Sequence, residues 1–562
     1  MNVQKVDSIF LLLIALIWVT AVLLVNPIGD FPLNDDWAYA SAVRTLVESG
    51  ELRLSDWTGA NLIAQVLWGA LFCLPFGFSF TALRLSTLVL GLVGVLATYG
   101  LLREVRASPG LALVGALSLA FSPIYFALSF TFMTDVPFAA LAMVSSWFLV
   151  GGLTQDSWIK IVVGLLLACA AILIRQIGLA IPIAFATAYV LKHGLGLRRF
   201  IEATFFVAGG IALQITYETW LRCSERLPAN FGKQIETLLM QLQQPWPSVV
   251  VDAAIIVSCG LLYSGLFLFP FLIVSVFWRL SRASTVLVIG FAGFIAALLT
   301  SLGKLMPLHG NILTSGGIGP DGDPSNAPTY FWIFLTFVSV VGAVVLLIGL
   351  FLSIVHTLRK PREISHTFAI VAVITAFAPL PFLGLGMFGF YDRYLLVFAP
   401  WLMLGIAATT QRTADIGLRT AQILSGTVAL MGIFTISVPI THDYLALNRW
   451  RWMVLRNLMS DYRVGPENIE DSGGQFNAWY LYDDASLQNP VGPWIVGNDY
   501  LVSFSLRVGY AELRRYPTDP WMPWGGADII LQHRRVEPYF SFERNFDYSQ
   551  DLLLSAPNRR NK

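Results

Sequence analysis

Asn34-Asp35-Asp36 places two consecutive carboxylates about ten residues beyond the first long apolar run of the chain. Thr131-Phe132-Met133-Thr134-Asp135-Val136-Pro137 places a third where two later apolar runs meet. A carboxylate beside a hydrocarbon boundary needs a partner or a task, because burying it unpaired is costly. One task it suits is general-base catalysis, which requires only hydrogen-bond reach to the proton removed. Grouped together, Asp35, Asp36 and Asp135 could instead share a proton, position an acceptor or hold a divalent cation, the one cofactor the residue set allows for. Each also has a plainer reading as a helix cap or first-turn acid, and Asp135 precedes a helix whose first turn contains Pro137.

Groups of opposite sign lie at the ends of apolar runs. Arg84, Arg175, Lys304 and Arg393 are candidates to bind a phosphate, the alternative being that each is a snorkelling anchor. Arg175, in Ile174-Arg175-Gln176, and Arg393, in Tyr391-Asp392-Arg393-Tyr394, are the two favoured. A loop over 304–328 adds His309, Asn311 and a glycine-rich turn with Gly317 and Gly319, whose backbone N–H groups are candidates to meet a substrate phosphate. Gly317 to Gly322 and Gly384 to Gly389 both fit G-x-G-x-x-G. Neither follows a strand and opens a helix, so neither is a nucleotide fingerprint. With no P-loop and no soluble nucleotide-binding domain, a nucleotide is not the expected direct substrate.

The elements that position these residues are dictated by composition. Of 562 residues, 56% are hydrophobic and only 13% charged, and the mean hydropathy is positive. That is the signature of a polytopic helical membrane protein. Since roughly 20 apolar residues cross the hydrocarbon and irregular backbone cannot face lipid, the pattern predicts about thirteen transmembrane helices. They fall near 8–25, 79–102, 109–128, 136–153, 158–174, 177–192, 200–220, 249–277, 285–303, 329–355, 367–389, 394–411 and 421–440. The first run is long and lacks a small-x-small cleavage site before Asn26-Pro27, so it reads as a retained span.

Basic residues fix the expected orientation. Arg103 and Arg106, Lys192 with Arg198 and Arg199, Arg279 and Arg282, Arg359 with Lys360 and Arg362, and Arg412 with Arg419 occupy alternate loops. The positive-inside rule makes those loops and the amino terminus cytoplasmic. Asp35, Asp36, Asp135, the four basic candidates and everything after Ile440 are then expected outside. The formal charge of +1 gives no sign of nucleic acid as a partner.

About fifty residues between the first two spans are too polar and broken to cross, and two interfacial helices fit them, 36–49 and 61–74. Loops 221–248 and 304–328 are long enough to carry function. Residues 441–562 are polar and aromatic, with short strands expected at 479–482, 500–504 and 529–531. The chain therefore divides into a transmembrane domain, 1–440, and a small α+β extracytoplasmic domain, 441–562, in which Trp521, Trp524 and Tyr539 suit either a core or a sugar face. Cys73, Cys169, Cys223 and Cys259 show no metal-like spacing.

Taken together, the acidic pair in a first loop of two surface helices, Thr134-Asp135-Val136-Pro137 after the third span and Arg393-Tyr394-Leu395-Leu396 opening a late span resemble the GT-C membrane glycosyltransferases. The branch is that of the protein O-mannosyltransferases, the aminoarabinose transferases of lipid A and the bacterial galacturonosyltransferases. That resemblance implies a polyprenyl-phosphate sugar as donor, a lipid, glycan or protein as acceptor, and residence in a bacterial inner membrane. It also implies Asp35 as base, Asp36 in support and Asp135 orienting the acceptor or a cation. One departure is Ser55-Asp56-Trp57-Thr58-Gly59-Ala60-Asn61, where many relatives carry a basic residue or a His-Pro-Pro-like stretch. The competing class is a transporter or flippase of a lipid-linked sugar, whose charges line a pathway without bond making.

Overall fold

The structure is a computed structural model that describes residues 3–194, 196–308, 311–318, 327–359, 364–377, 391–409, 419–482, 498–523 and 527–535. Among them, eight helices are long and apolar enough to cross a membrane: Lys5–Val25, Phe80–Glu104, Asp135–Gln155, Leu197–Cys223, Trp246–Phe267, Arg282–Ser301, Thr329–Arg359 and Thr420–Ser460. The five other expected spans hold shorter apolar helices of 11 to 15 residues, Pro109–Ala120, Trp158–Ile172, Ala180–His193, Ile364–Phe377 and Ala399–Thr409. Residues 378–390, with Gly384 and Gly389, lie outside the described residues.

Chain breaks follow local chemistry. The segment expected as one span over 109–128 is two helices, α5 (Pro109–Ala120) and α6 (Pro123–Leu128). Pro123 has no N–H to give the preceding turn, and it holds Ser122 in an extended conformation. Likewise Trp246–Phe267 stops and restarts as Phe269–Ser275, where Pro270 enters the first turn.

Between α1 (Val3–Val25) and α4 (Phe80–Glu104) stand the two expected helices, α2 (Asp36–Ser49) and α3 (Ile63–Cys73). α2 ends on Gly50 in the left-handed region, where its N–H reaches the Leu46 carbonyl. Its exposed side carries the Arg44–Glu48 pair at 3.0 Å, one turn apart. α4 is capped by the Ser79 hydroxyl, which accepts the Thr81 N–H.

The last long helix, Thr420–Ser460, runs about twenty residues past Ile440, so the boundary expected there falls inside one element. Its second half buries Tyr444, Leu445, Asn448, Arg451, Trp452, Leu455 and Leu458, a stripe at the helical period. That face seats a four-stranded sheet of order β3-β4-β6-β5, formed by Ile469–Asp471, Tyr500–Ser503, Ile529–Arg534 and Tyr510–Tyr516. β3 and β4 are parallel and the other pairings antiparallel. Two of the three expected strands are present. The third, 479–482, is instead the end of a helix, Gln475–Leu481. The Phe476 and Tyr480 rings, one turn apart, meet at a tilt with centroids 4.9 Å apart, and left-handed Gly474 opens the helix.

Candidate active site

Three side chains grip the turn between α6 and α7 (Asp135–Gln155), and in doing so they place Asp135. Asp36 is 2% exposed. One of its oxygens accepts the Leu33 N–H at 2.6 Å and the other the Phe132 N–H at 3.1 Å. Gln65 of α3 donates to the Phe132 carbonyl at 2.7 Å. Arg84 of α4, 1% exposed, donates to the carbonyls of Phe130, Pro27, Gly29 and Phe31. Burial pushes the Asp36 carboxyl up to about 7, against the opposing pull of the two N–H donors and the Arg84 charge. Asp36 and Arg84 therefore tie the first loop to the third: the sequence offered one as catalytic and the other as phosphate-binding, and the fold spends both on main-chain groups.

Asp35 stands apart from this lattice. It precedes the first turn of α2 with its side chain about one-third exposed, and its Oδ2 lies 3.7 Å from Arg393 Nη1. Arg393 feels both the Asp135 and the Asp35 carboxylates. Asp135 in turn pairs with Arg175 at 2.6 Å through Oδ1, while its buried Oδ2 and the buried Arg393 Nε have no hydrogen-bond partner among the described residues. Arg175 lies 5.1 Å from the centre of the Tyr394 ring and Arg393 5.8 Å, which holds both guanidinium planes.

Tyr39 belongs to this group and was missed by sequence reasoning. Its hydroxyl lies in the field of Asp35, Arg393, Arg175 and Asp135, and burial raises its pKa above the ordinary phenol value. The signal available was spacing, since Tyr39 follows Asp35 by four residues, one helical turn.

Above Asp35 opens a cavity of about 270 Å³. Asn34, Asp35, Trp37 and Trp57 line it from the first loop, and Asn311, Ile312 and Arg393 from later loops. Gly473, Gly474, Gln475 and Ala478 of the C-terminal segment complete it. Asp392, also unrecognised in the sequence, positions Asn311. Its buried carboxylate accepts the Leu313 N–H at 2.8 Å and the Ile312 N–H at 3.1 Å, and burial raises its pKa while those donors lower it. Asp392→Asn removes an acceptor from this clasp, so hydrogen exchange at the Ile312 and Leu313 amides is expected to rise by at least about tenfold. Unchanged exchange would show that the clasp does not hold the loop.

Other candidates sit elsewhere. Lys304 is exposed just past Arg282–Ser301 and does not line the cavity. Gly317 pairs with Thr314 in a two-residue hairpin, β1 (Leu313–Thr314) with β2 (Gly317–Ile318). His309 and Gly319 lie outside the described residues. Among the described residues no three His, Cys, Asp or Glu side chains cluster as a cation site; Asp35, Asp36 and Asp135 are directed to separate partners.

No curated protein sequence matches the chain. Among solved structures it is similar to ArnT from Cupriavidus metallidurans bound to undecaprenyl phosphate, at 12% identity over 95% of this chain and 98% of that chain, with a TM-score of 0.42. It is also similar to the Archaeoglobus fulgidus oligosaccharyltransferase in complex with Zn and sulfate, at 14% identity over 84% of this chain and 61% of that chain, with a TM-score of 0.45. The pattern of the dolichyl-phosphate-mannose-protein mannosyltransferase family matches residues 65–220, a stretch holding Arg84, Asp135 and Arg175 but neither Asp35 nor Arg393. The chain is a multi-pass integral membrane protein that resembles the GT-C membrane glycosyltransferases, and the family match carries that resemblance from the second helix of the first loop through the spans up to residue 220.

Proposed function

We propose that this chain transfers a sugar from a polyprenyl-phosphate-linked donor to an acceptor hydroxyl on the outer face of a bacterial inner membrane. The observation that carries the reading is the split within the acidic pair. Asp36 is enclosed by backbone donors, whereas Asp35 opens on a cavity and faces Arg393 at 3.7 Å. Asp35 takes the acceptor proton as the acceptor oxygen bonds to the anomeric carbon. The bond from that carbon to the phosphate oxygen breaks, and polyprenyl phosphate departs with the electron pair. The sugar passes through an oxocarbenium-like state, so cations at the leaving phosphate lower the barrier. Arg393 and Arg175 supply them, and Asp135 holds Arg175 in place. Arg84 has no part in this, since its donors are on carbonyls.

Purified protein supplied with a labelled polyprenyl-phosphate sugar and a membrane extract is expected to form labelled product. In Arg393→Ala, kcat/KM for the donor is expected to fall by roughly 10²-fold, the scale of losing one preorganised donor. Arg393→Lys, which keeps charge without the planar fork, is expected to fall between the two. Movement of the lipid-linked sugar across vesicles without product would instead make the chain a transporter.

A further inference from the structure

We propose that Arg449 and Arg456, on the last long helix, are positioning residues for Asp35: they grip the strap of chain that leads from the first span to Asp35, so that the C-terminal segment sets the place of the base. This rests on the transferase reading for the role of Asp35, whereas the grip stands on the geometry alone. The strap is Val25-Asn26-Pro27-Ile28-Gly29-Asp30-Phe31. Only its first residue is helical, so its backbone groups need partners from outside. Three arginines donate to every carbonyl in it. Arg84 of α4 takes those of Pro27, Gly29 and Phe31 at 2.7, 2.9 and 3.2 Å. Arg449 takes those of Val25 at 3.2 Å, Ile28 at 3.0 Å and Asn26, and Arg456 takes that of Asp30. Beyond Val25 the carbonyls alternate, odd-numbered to Arg84 and even-numbered to the last helix, as the groups of an extended chain point to opposite sides. The strap therefore lies between two rows of guanidinium donors as a strand lies between its neighbours.

A stack of side chains fixes the strap against the helix as well. Arg84 lies over the Phe31 ring at 5.0 Å, Phe31 stacks on Trp452 at 6.3 Å and 14°, and Arg456 lies over Trp452 at 5.9 Å. A cation thus closes each end of an aromatic pair, one from α4 and one from the last helix. Tyr444 of the same helix reaches Asn34 Oδ1 at 3.4 Å, one residue before Asp35. These contacts give the outer half of Thr420–Ser460 a task beyond seating the sheet. Asp35 itself has no cap hydrogen bond and meets Arg393 only at 3.7 Å, so its place is inherited from the strap before it and from Asp36 after it. The two rows differ in what they protect. Arg84 is buried, and its loss strands carbonyls that water cannot reach. Asn26, Ile28 and Asp30 are exposed and Arg449 is half-exposed, so water replaces the lost hydrogen bonds there but not the geometry. Stability then changes little, while a displacement of about 1 Å at a reacting group costs roughly 10²-fold in rate.

The test uses the full chain in lipid nanodiscs, as wild type, Arg449→Ala, Arg449→Lys and the double variant Arg449→Ala with Arg456→Ala. In Arg449→Ala, kcat for sugar transfer is expected to fall by roughly 10- to 10²-fold. Donor KM is expected to stay within about twofold, because Arg393 and Arg175 are untouched, and the thermal midpoint within about 2 °C. Arg449→Lys keeps the charge but not the fork that spans three carbonyls, and its kcat is expected to lie between the two. Hydrogen exchange reads the grip without any reaction. The amides of Ile28 and Gly29, bound to the Asn26 and Thr81 side chains at 3.1 Å, are expected to exchange at least about fivefold faster in the double variant, and those of Leu501 and Val502 in the sheet at the wild-type rate. Unchanged exchange overturns the proposal. Raised exchange with wild-type kcat also overturns it, since the strap would then be held without bearing on Asp35, and so does a kcat that falls only with the folded fraction. No product from the wild type with any donor would remove the transferase reading, and the exchange rates alone would then decide whether the last helix sets the strap.

Discussion

Asp35→Asn is expected to lower sugar transfer by roughly 10²- to 10⁴-fold, the range for loss of a general base, while the thermal unfolding midpoint stays within about 1 °C of wild type. The asymmetry follows from what the carboxylate touches. Asp35 has no cap hydrogen bond at the start of α2, is about one-third exposed, and meets one cation at 3.7 Å. An amide there keeps the shape, forfeits a partly solvated ion pair of small value, and cannot take a proton. Donor KM is expected to change less than kcat, since the phosphate is held by Arg393 and Arg175. Asp36→Asn gives the converse, a lowered midpoint with residual transfer in whatever fraction stays folded. Full transfer by Asp35→Asn would end its assignment as base; equal loss in both variants without unfolding would show that the pair acts as a unit.

Much of this was legible in the chain. The cap-like acids and the apolar spacing predict α2 with its observed ends, and the Leu- and Trp-rich run before Pro75 predicts α3. The separation of Asp35 from Asp36 was not legible. Neighbouring residues on a helix point about 100° apart, and which one meets backbone depends on the course of Phe130 to Phe132, nearly a hundred residues away. Arg84 misled for a related reason. At a span's end it reads as an anchor or an anion site, and only the loop folded over it supplies four carbonyls. Asp392 was overshadowed by Arg393 beside it, because charge pattern alone cannot show that one turns inward to N–H groups and the other to a carboxylate. Tyr480 and its neighbours read as a strand since aromatic runs favour sheets; packing against Phe476 one turn earlier decided for a helix.

Arg84→Ala is expected to cost the most stability, about 3–5 kcal/mol, the scale for removing one partner from a buried charged network. Its guanidinium satisfies carbonyls from residues 27, 29, 31 and 130, and its charge acts on Asp36. Without it those carbonyls lose their donor and Asp36 loses its only opposing charge among the groups that set its pKa. The same lattice predicts a pH dependence. The ordinary value for the Asp36 carboxyl is 3.8, and burial pushes it up to about 7, so between these values the folded chain keeps a proton that the unfolded chain releases. The stabilisation from neutral Asp36 is thus complete below about 3.8 and is lost as pH rises through about 7. Thermal midpoints from pH 5 to 8.5 should fall more steeply for wild type than for Asp36→Asn, which cannot ionise. In Arg84→Ala the steep region should move to higher pH, because a lost positive neighbour raises the carboxyl further. Parallel profiles for wild type and Asp36→Asn would mean that Asp36 stays ionised in the folded chain.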